Sequence, residues 1–252
     1  MKLFTFRSMM RSALLAACIG SVFTIATAQA APDTLYQVST LQTLSQGHFD
    51  SSISFKNLRK KGDFGVGALD KLDGELILLD GKGWQARFDG KVVQVKDKDK
   101  LPFAVVTHFR PSLKKRVNSR LEYKGLVQEL NELLPTRNAP VAIKVHGRFS
   151  VLKARSVAGQ QRPYSTLAEA VKKQVEWQWE DIEGTMVGFR FPQFLSGVNL
   201  ADYHFHFIAD DKTRGGHVLD AVIRNATIEL SVLRKFEMDL PTTQEFDQRN
   251  LD

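Results

Sequence analysis

The chain has 252 residues, 43% hydrophobic and 25% charged, a globular composition that excludes a disordered polyampholyte or a fibre. A single cysteine excludes a disulfide framework and a cysteine-rich zinc site. The net charge of +7 includes Lys2, Arg7 and Arg11; beyond residue 30, 32 basic residues face 28 acidic ones, too scattered an excess for a nucleic-acid footprint.

Those three basic residues open the chain, residues 12–26 form an uncharged run of apolar and small side chains, and Ala28-Gln29-Ala30 offers a small-x-small cleavage site. Residues 1–30 therefore read as a secretory signal removed before Ala31, giving an exported protein, periplasmic or secreted. A run of about fifteen residues is short for a membrane span, so none is expected after cleavage. The alternatives are an uncleaved anchor and lipidation at Cys18, although Leu15-Ala16-Ala17-Cys18 falls too early in the apolar run. Cleavage removes Cys18 and leaves a thiol-free chain, suited to an oxidising compartment.

Residues 71–95 read as a β-meander punctuated by Asp73-Gly74, Asp80-Gly81 and Asp89-Gly90, because both positions of an Asp-Gly pair accept positive φ. Lys96-Asp97-Lys98-Asp99-Lys100 alternates in sign and reads as a solvated loop. A strand is expected over residues 103–109. Residues 119–134 carry leucines at helical spacing behind a Ser119/Glu122 capping box, and Pro135 stops the helix. Residues 141–145 and 149–157 look like a hairpin about Gly147. A second helix is expected over residues 166–175, with a Thr166/Glu169 capping box. Strands are expected over residues 175–179, 185–191, 203–208, 217–223 and 227–233. Many strands with two helices that do not alternate with them predict an α+β fold of mostly antiparallel or mixed sheet. A break at residues 136–140 predicts two sheet-containing halves, roughly 31–138 and 139–252.

Three of the six histidines lie within fourteen residues: His204, His206 and His217. Residues i and i+2 of a strand share a face, so His204 and His206 point together while Phe205 and Phe207 share the other side. Residues 209–216 are polar and end in Gly215-Gly216, a turn that can return His217 beside the pair. Three converging neutral imidazoles make a zinc-type site, and a three-ligand shell without cysteine points to catalysis over structure. The plainer reading is a polar strand face that happens to carry histidines.

With this cluster the chain resembles the α-acetolactate decarboxylases over nearly its whole mature length. Tyr36-Gln37-Val38-Ser39-Thr40, then Gly62-Asp63-Phe64-Gly65-Val66-Gly67 and Leu72-Asp73-Gly74-Glu75-Leu76, resemble the family's N-terminal motifs. Pro102-Phe103-Ala104, Leu134-Pro135-Thr136-Arg137-Asn138 and Gly188-Phe189 with Pro192 follow in family order. Tyr203-His204-Phe205-His206-Phe207-Ile208 and Gly215-Gly216-His217-Val218-Leu219-Asp220 resemble its zinc motif. The resemblance implies a two-part α+β fold, commonly a homodimer, and a Zn²⁺ enzyme converting 2-acetolactate to acetoin and CO₂. It implies His204, His206 and His217 as metal ligands, with Glu75 and Arg155 in the active site. Two departures stand out. The family's Gly-Thr-Phe is Gly67-Ala68-Leu69 here, so its active-site threonine is Ala68. The family also continues past Asn250-Leu251-Asp252 into a tail with a second active-site glutamate.

The residues suit this chemistry. Loss of CO₂ from a β-keto acid places charge on the ketone oxygen, which a Lewis acid stabilises without a redox cofactor. Arg155, on a strand face with Phe149, Val151 and Lys153, can fork onto a carboxylate, or it is a strand-end charge in water. Glu75, at the start of an apolar strand, can relay a proton, or it is solvated at a strand edge. A zinc hydrolase would need the same histidines with Glu75 as base. A non-catalytic protein that binds metal and small acids is the non-enzymatic alternative. His48, His108 and His146 read as surface or satisfied core residues, and Trp177 and Trp179 as core or interface.

Overall fold

The computed structural model describes residues 33–51 and 53–251 together with Met1. The proposed signal segment and Cys18 lie outside the described residues. Among those described, no helix is long and apolar enough to cross a membrane.

The first part of the chain forms β1 (Thr34–Val38), α1 (Leu41–Ser45), β2 (Ile53–Ser54), α2 (Phe55–Leu58), β3 (Phe64–Ala68), β4 (Glu75–Leu79), β5 (Lys82–Ala86), β6 (Val92–Gln94), β7 (Lys100–Leu101) and β8 (Phe103–Thr107). It continues through β9 (Leu113–Val117), β10 (Leu121–Glu122) and α3 (Tyr123–Leu133). The remainder is β11 (Val141–Ser156), α4 (Leu167–Val171), β12 (Val175–Phe191), β13 (Asp202–Ala209), β14 (Gly215–Val232), β15 (Lys235–Asp239) and α5 (Gln244–Gln248). The fold is α+β and sheet-dominated, as the pattern of runs and turns predicts.

The Asp-Gly turns build the meander. Asp80 (φ 51°) and Gly81 (φ 75°) both take left-handed backbone and reverse β4 into β5, and Gly90 (φ 82°) sits in the turn before β6. These strands extend a seven-stranded sheet in the order β15-β1-β8-β3-β4-β5-β6, in which only β1 and β15 run parallel. The second sheet runs β10-β14-β11-β12-β13, with β9 also on β14. Because β13 pairs with β14 as well, β14-β11-β12-β13 closes on itself.

Several local expectations give way to longer elements. The hairpin about Gly147 does not form, and β11 runs straight through it. A Cβ on Gly147 would lie 2.5 Å from the carbonyl oxygen of Asn225, and the pairing to β14 shifts register just beyond it. The glycine marks a bulge and a close backbone approach instead of a turn. Residues 175–179 and 185–191 are the two ends of β12, and residues 217–223 with most of 227–233 belong to β14. The first helix begins at Tyr123, not Ser119, because Leu121 and Glu122 pair with Ile223 and Val222 and are held extended. Glu122 occupies the N-cap, and no side-chain capping bond forms there. The leucine stripe is as expected, with Leu126 and Leu130 fully buried. Thr166 does cap α4, its hydroxyl accepting from the Glu169 N–H, but the helix ends at Val171. A second register shift between Phe149 and Val151 moves Phe149 into the core, off the face that carries Arg155.

Three apolar clusters follow. One, with Phe149, Phe205 and Phe207, fills the interior of the second sheet under α3. Another, with Phe64, Val105, Phe189 and Phe191, lies between the two sheets. The third covers the opposite face of the first sheet under α2. Each fully buried phenylalanine contributes about 1.5–3 kcal/mol. Because the middle cluster draws on both sheets, they hold one another in register across the cleft where the polar residues gather.

Candidate metal centre and active site

Alternation along β13 sends Phe205 and Phe207 into the interior of the second sheet and leaves His204 and His206 facing the first. The polar turn after β13 brings β14 back so that His217 pairs directly with His206. On its other side His217 pairs with Arg155 of β11, where a Cβ on Gly216 would lie 2.7 Å from the Arg155 carbonyl. Closure of the second sheet thus puts three histidines and an arginine on adjoining strands.

The imidazole nitrogens converge. His204 Nε2 is 3.2 Å from His206 Nε2 and 3.1 Å from His217 Nδ1. Zinc–nitrogen bonds of ~2.0–2.1 Å at tetrahedral angles separate ligand nitrogens by ~3.3 Å, so the spacing fits a shared ion. All three ligating atoms lie within 4.8 Å of one another. His206 is oriented from the first sheet: its Nδ1 is 2.7 Å from the Leu76 carbonyl oxygen of β4, which leaves Nε2 free to coordinate. Burial pushes the imidazolium forms of His204 and His217 well below their ordinary range, with neighbouring positive groups acting in the same direction. His206 is pushed down to about 4, although its bond to Leu76 opposes the shift. Neutral imidazoles are the form that binds a metal.

β4 also supplies Glu75, next to Leu76. Its Oε2 is 3.5 Å from His206 Nε2 and its Oε1 is 3.8 Å from Arg155 Nη1, with side-chain exposures of 12% for Glu75 and 15% for Arg155. Burial pushes the Glu75 carboxyl up to about 7, against the pull of the Arg155 charge. Neither residue is a solvated strand-edge charge. A cavity of about 210 Å³ opens on this group. It is polar at the end formed by the histidines, Glu75 and Arg155, and apolar where Leu44, Leu72, Phe103, Val157 and Leu167 line it. Ala68 forms part of the wall, directly opposite Glu75 in the β3–β4 register.

The structure brings together every residue singled out as a site candidate. It also adds two that sequence reasoning missed. Asn199 lines the cavity and donates from Nδ2 to Gln37 Oε1 at 2.8 Å. The fully buried Gln37 in turn donates to the carbonyls of Ser39 (2.7 Å) and Val198 (2.8 Å), tying the 196–200 segment to β1. The available signal was one amide within the apolar run Tyr36-Gln37-Val38. The remaining histidines lie elsewhere: His48 is buried beside Phe246, His108 is 3.7 Å from Asp63, and His146 is 3.1 Å from the Thr185 hydroxyl. Trp177 and Trp179 stack with each other on β12.

A family model described as alpha-acetolactate decarboxylase matches residues 35–252. The alpha-acetolactate decarboxylase of Brevibacillus brevis is 37% identical over 227 residues, 90% of this chain and 80% of the relative. That of Methanosarcina mazei is 40% identical over 216 residues, covering 86% of this chain and 75% of the relative. The crystal structure of the Bacillus subtilis strain 168 enzyme superposes with a TM-score of 0.85 at 36% identity, spanning 87% of this chain and 94% of that one.

Proposed function

The chain belongs to the alpha-acetolactate decarboxylase family, and from that premise we propose that it converts 2-acetolactate to acetoin and CO₂ with Zn²⁺ held by His204, His206 and His217. The observation that carries the reading is the convergence of three neutral imidazoles, one carboxyl and one guanidinium at the polar end of a small cavity. Three nitrogen donors suit zinc among several transition metals, and when bound it supplies a Lewis acid for the substrate's ketone oxygen.

The chain's own residues account for the remaining requirements. Arg155 is a fixed cation on a rigid strand, placed to pair with the substrate carboxylate and then with the charge that develops as the C–CO₂ bond breaks. The bonding electron pair moves towards the ketone, leaving a carbon that must gain a proton. Glu75, whose carboxyl burial raises towards neutrality, is poised to exchange a proton and can deliver one from Oε1 or Oε2. The apolar wall around Leu72 and Phe103 takes the substrate's methyl groups and limits water at the reacting carbon.

Metal analysis and an acetoin assay on the purified protein test the proposal together. The expected result is about one zinc per chain and acetoin formation that stops when a chelator removes the metal. A metal-free preparation that still forms acetoin would overturn the metal assignment, and ester cleavage without acetoin would favour a hydrolase. Export is part of the same proposal, resting on the leader pattern of residues 1–30. N-terminal sequencing of the natural product, beginning at Ala31, would support it.

A further inference from the structure

Gln37 stands in the middle of β1 among Leu35, Tyr36 and Val38, and it is fully buried with them. A buried amide is tolerated only when its hydrogen bonds are made. Its Nε2 donates to two main-chain carbonyls, those of Ser39 at 2.7 Å and Val198 at 2.8 Å. Carbonyls only accept, so Nε2 must face these two and Oε1 must face Asn199. Asn199 is fixed in turn. It is buried, its Nδ2 donates to Gln37 Oε1 at 2.8 Å, and its Oδ1 accepts from the Leu200 N–H at 2.7 Å. The first N–H groups of α1 complete the unit, Leu41 donating to the Val198 carbonyl and Gln42 to that of Gly197, both at 2.9 Å. Ser39 takes a left-handed backbone (φ 62°) between β1 and α1, and the bond from Gln37 to its carbonyl holds that turn.

Leu41, Leu44, Asn199 and Leu200 of this unit line the cavity, and Gln37 stands behind them. The three histidines, Glu75 and Arg155 stand on other strands, β13, β14, β4 and β11. We propose that Gln37 is a positioning residue for substrate size: acting through Asn199, it fixes the wall formed by α1 and residues 197–200 and so sets how large an alkyl group the cavity admits. The amide orientation is the mechanism. Both polar ends of Asn199 are engaged, so no free donor or acceptor of its side chain turns into the apolar end of the cavity. Without Gln37 the Asn199 amide is left half-paired and the segment loses its tie to β1. A fixed apolar wall discriminates one methylene by ~10- to 200-fold, and a wall that yields loses part of that discrimination. The inference rests on the proposed decarboxylation for its substrate, but on the hydrogen-bond network for its mechanism.

Gln37→Met and Gln37→Glu test the assignment. Methionine keeps the shape and removes every bond, whereas glutamate keeps the acceptor for Asn199 but turns a carboxylate oxygen onto two carbonyls. Should the glutamate variant fail to fold, the methionine variant carries the test; zinc content and far-UV circular dichroism check both. The first measurement compares 2-acetolactate with its homologue bearing ethyl in place of the methyl on the carbinol carbon. KM for 2-acetolactate should rise with kcat within about twofold, and the kcat/KM ratio should shift towards the ethyl homologue by at least ~5-fold. The second measurement needs no turnover. Calorimetric Kd values of the zinc-loaded protein for 2-hydroxy-2-methylpropanoate and 2-hydroxy-2-methylbutanoate, one methylene apart, should shift in the same direction by at least ~5-fold. A shifted Kd ratio in a protein that forms no acetoin would uphold the positioning role and reject the decarboxylation. Acetoin formation with both ratios equal to the parent's would overturn the positioning role and leave the decarboxylation standing. Equal losses on both substrates would reduce Gln37 to a stabilising residue, and a parent that binds neither acid would likewise overturn the inference.

Discussion

Replacing Glu75 with glutamine should make the metal-stripped protein more stable at alkaline pH and leave it unchanged near pH 4.5. The carboxyl is 12% exposed, and the positive charge beside it, Arg155, stands 3.8 Å away. Burial lifts it from an ordinary value of 4.5 to about 7, with Arg155 opposing. Between those values the folded state holds a proton that the unfolded chain has released. The stability this contributes is fully present below pH 4.5 and is lost as pH rises through about 7. At 1.36 kcal/mol for each pH unit the loss amounts to ~3 kcal/mol. Glutamine keeps the shape and does not titrate. The variant's advantage over the parent should therefore grow from near zero at pH 4.5 to ~3 kcal/mol at about pH 8.5. The histidines act in the opposite sense. His206, lowered to about 4, contributes stability that is present above 6.5 and lost as pH falls through about 4. That contribution is shared by parent and variant and drops out of their difference. Urea unfolding followed by tryptophan fluorescence, with chelator present, measures the difference across this range. A difference that does not change with pH would refute the burial argument. A parent favoured at high pH would mean that Arg155 pairs with the carboxylate strongly enough to overcome its desolvation.

Three substitutions probe the site further. His206→Ala should abolish metal retention and acetoin formation together, since two imidazoles hold zinc poorly; full zinc occupancy by elemental analysis would show that the ligand set is different. Arg155→Lys should retain zinc but lose ~10- to 100-fold in kcat, because an ammonium cannot reproduce the planar two-point contact. Unchanged kinetics would remove Arg155 from the reaction. Ala68→Thr places a hydroxyl opposite Glu75 in the β3–β4 register and should raise kcat about tenfold, the value of a hydrogen bond to a charged group, with zinc content unchanged. An equal rate in steady-state acetoin assays would make that hydroxyl dispensable.

Much of the site was legible in the chain because strand alternation and turn chemistry act between near neighbours. The pattern Tyr203 to Ile208 already separates an imidazole face from a phenylalanine face, and Gly215-Gly216 marks the return that sets His217 against His206. The Asp-Gly pairs define the meander for the same reason. Gly147 was misleading because a glycine signals equally a turn or a close backbone approach, and only the presence of β14 decides between them. The bulge that sends Phe149 inward and leaves Arg155 facing the cavity likewise depends on pairing with a strand some seventy residues away.

The sequence by itself determined which residue types alternate, where the chain turns and which three histidines share a neighbourhood, since each follows from steric preferences within a few residues. Tertiary structure alone decided that the second sheet closes through β13 and β14, that the Leu76 carbonyl orients His206 from 130 positions away, and that Glu75 is buried against Arg155. It also decided that Gln37 braces the cavity wall through Asn199. These are contacts between sheets, and their energy comes from burying both against a common apolar layer. No local pattern encodes which polar groups that layer will trap beside it.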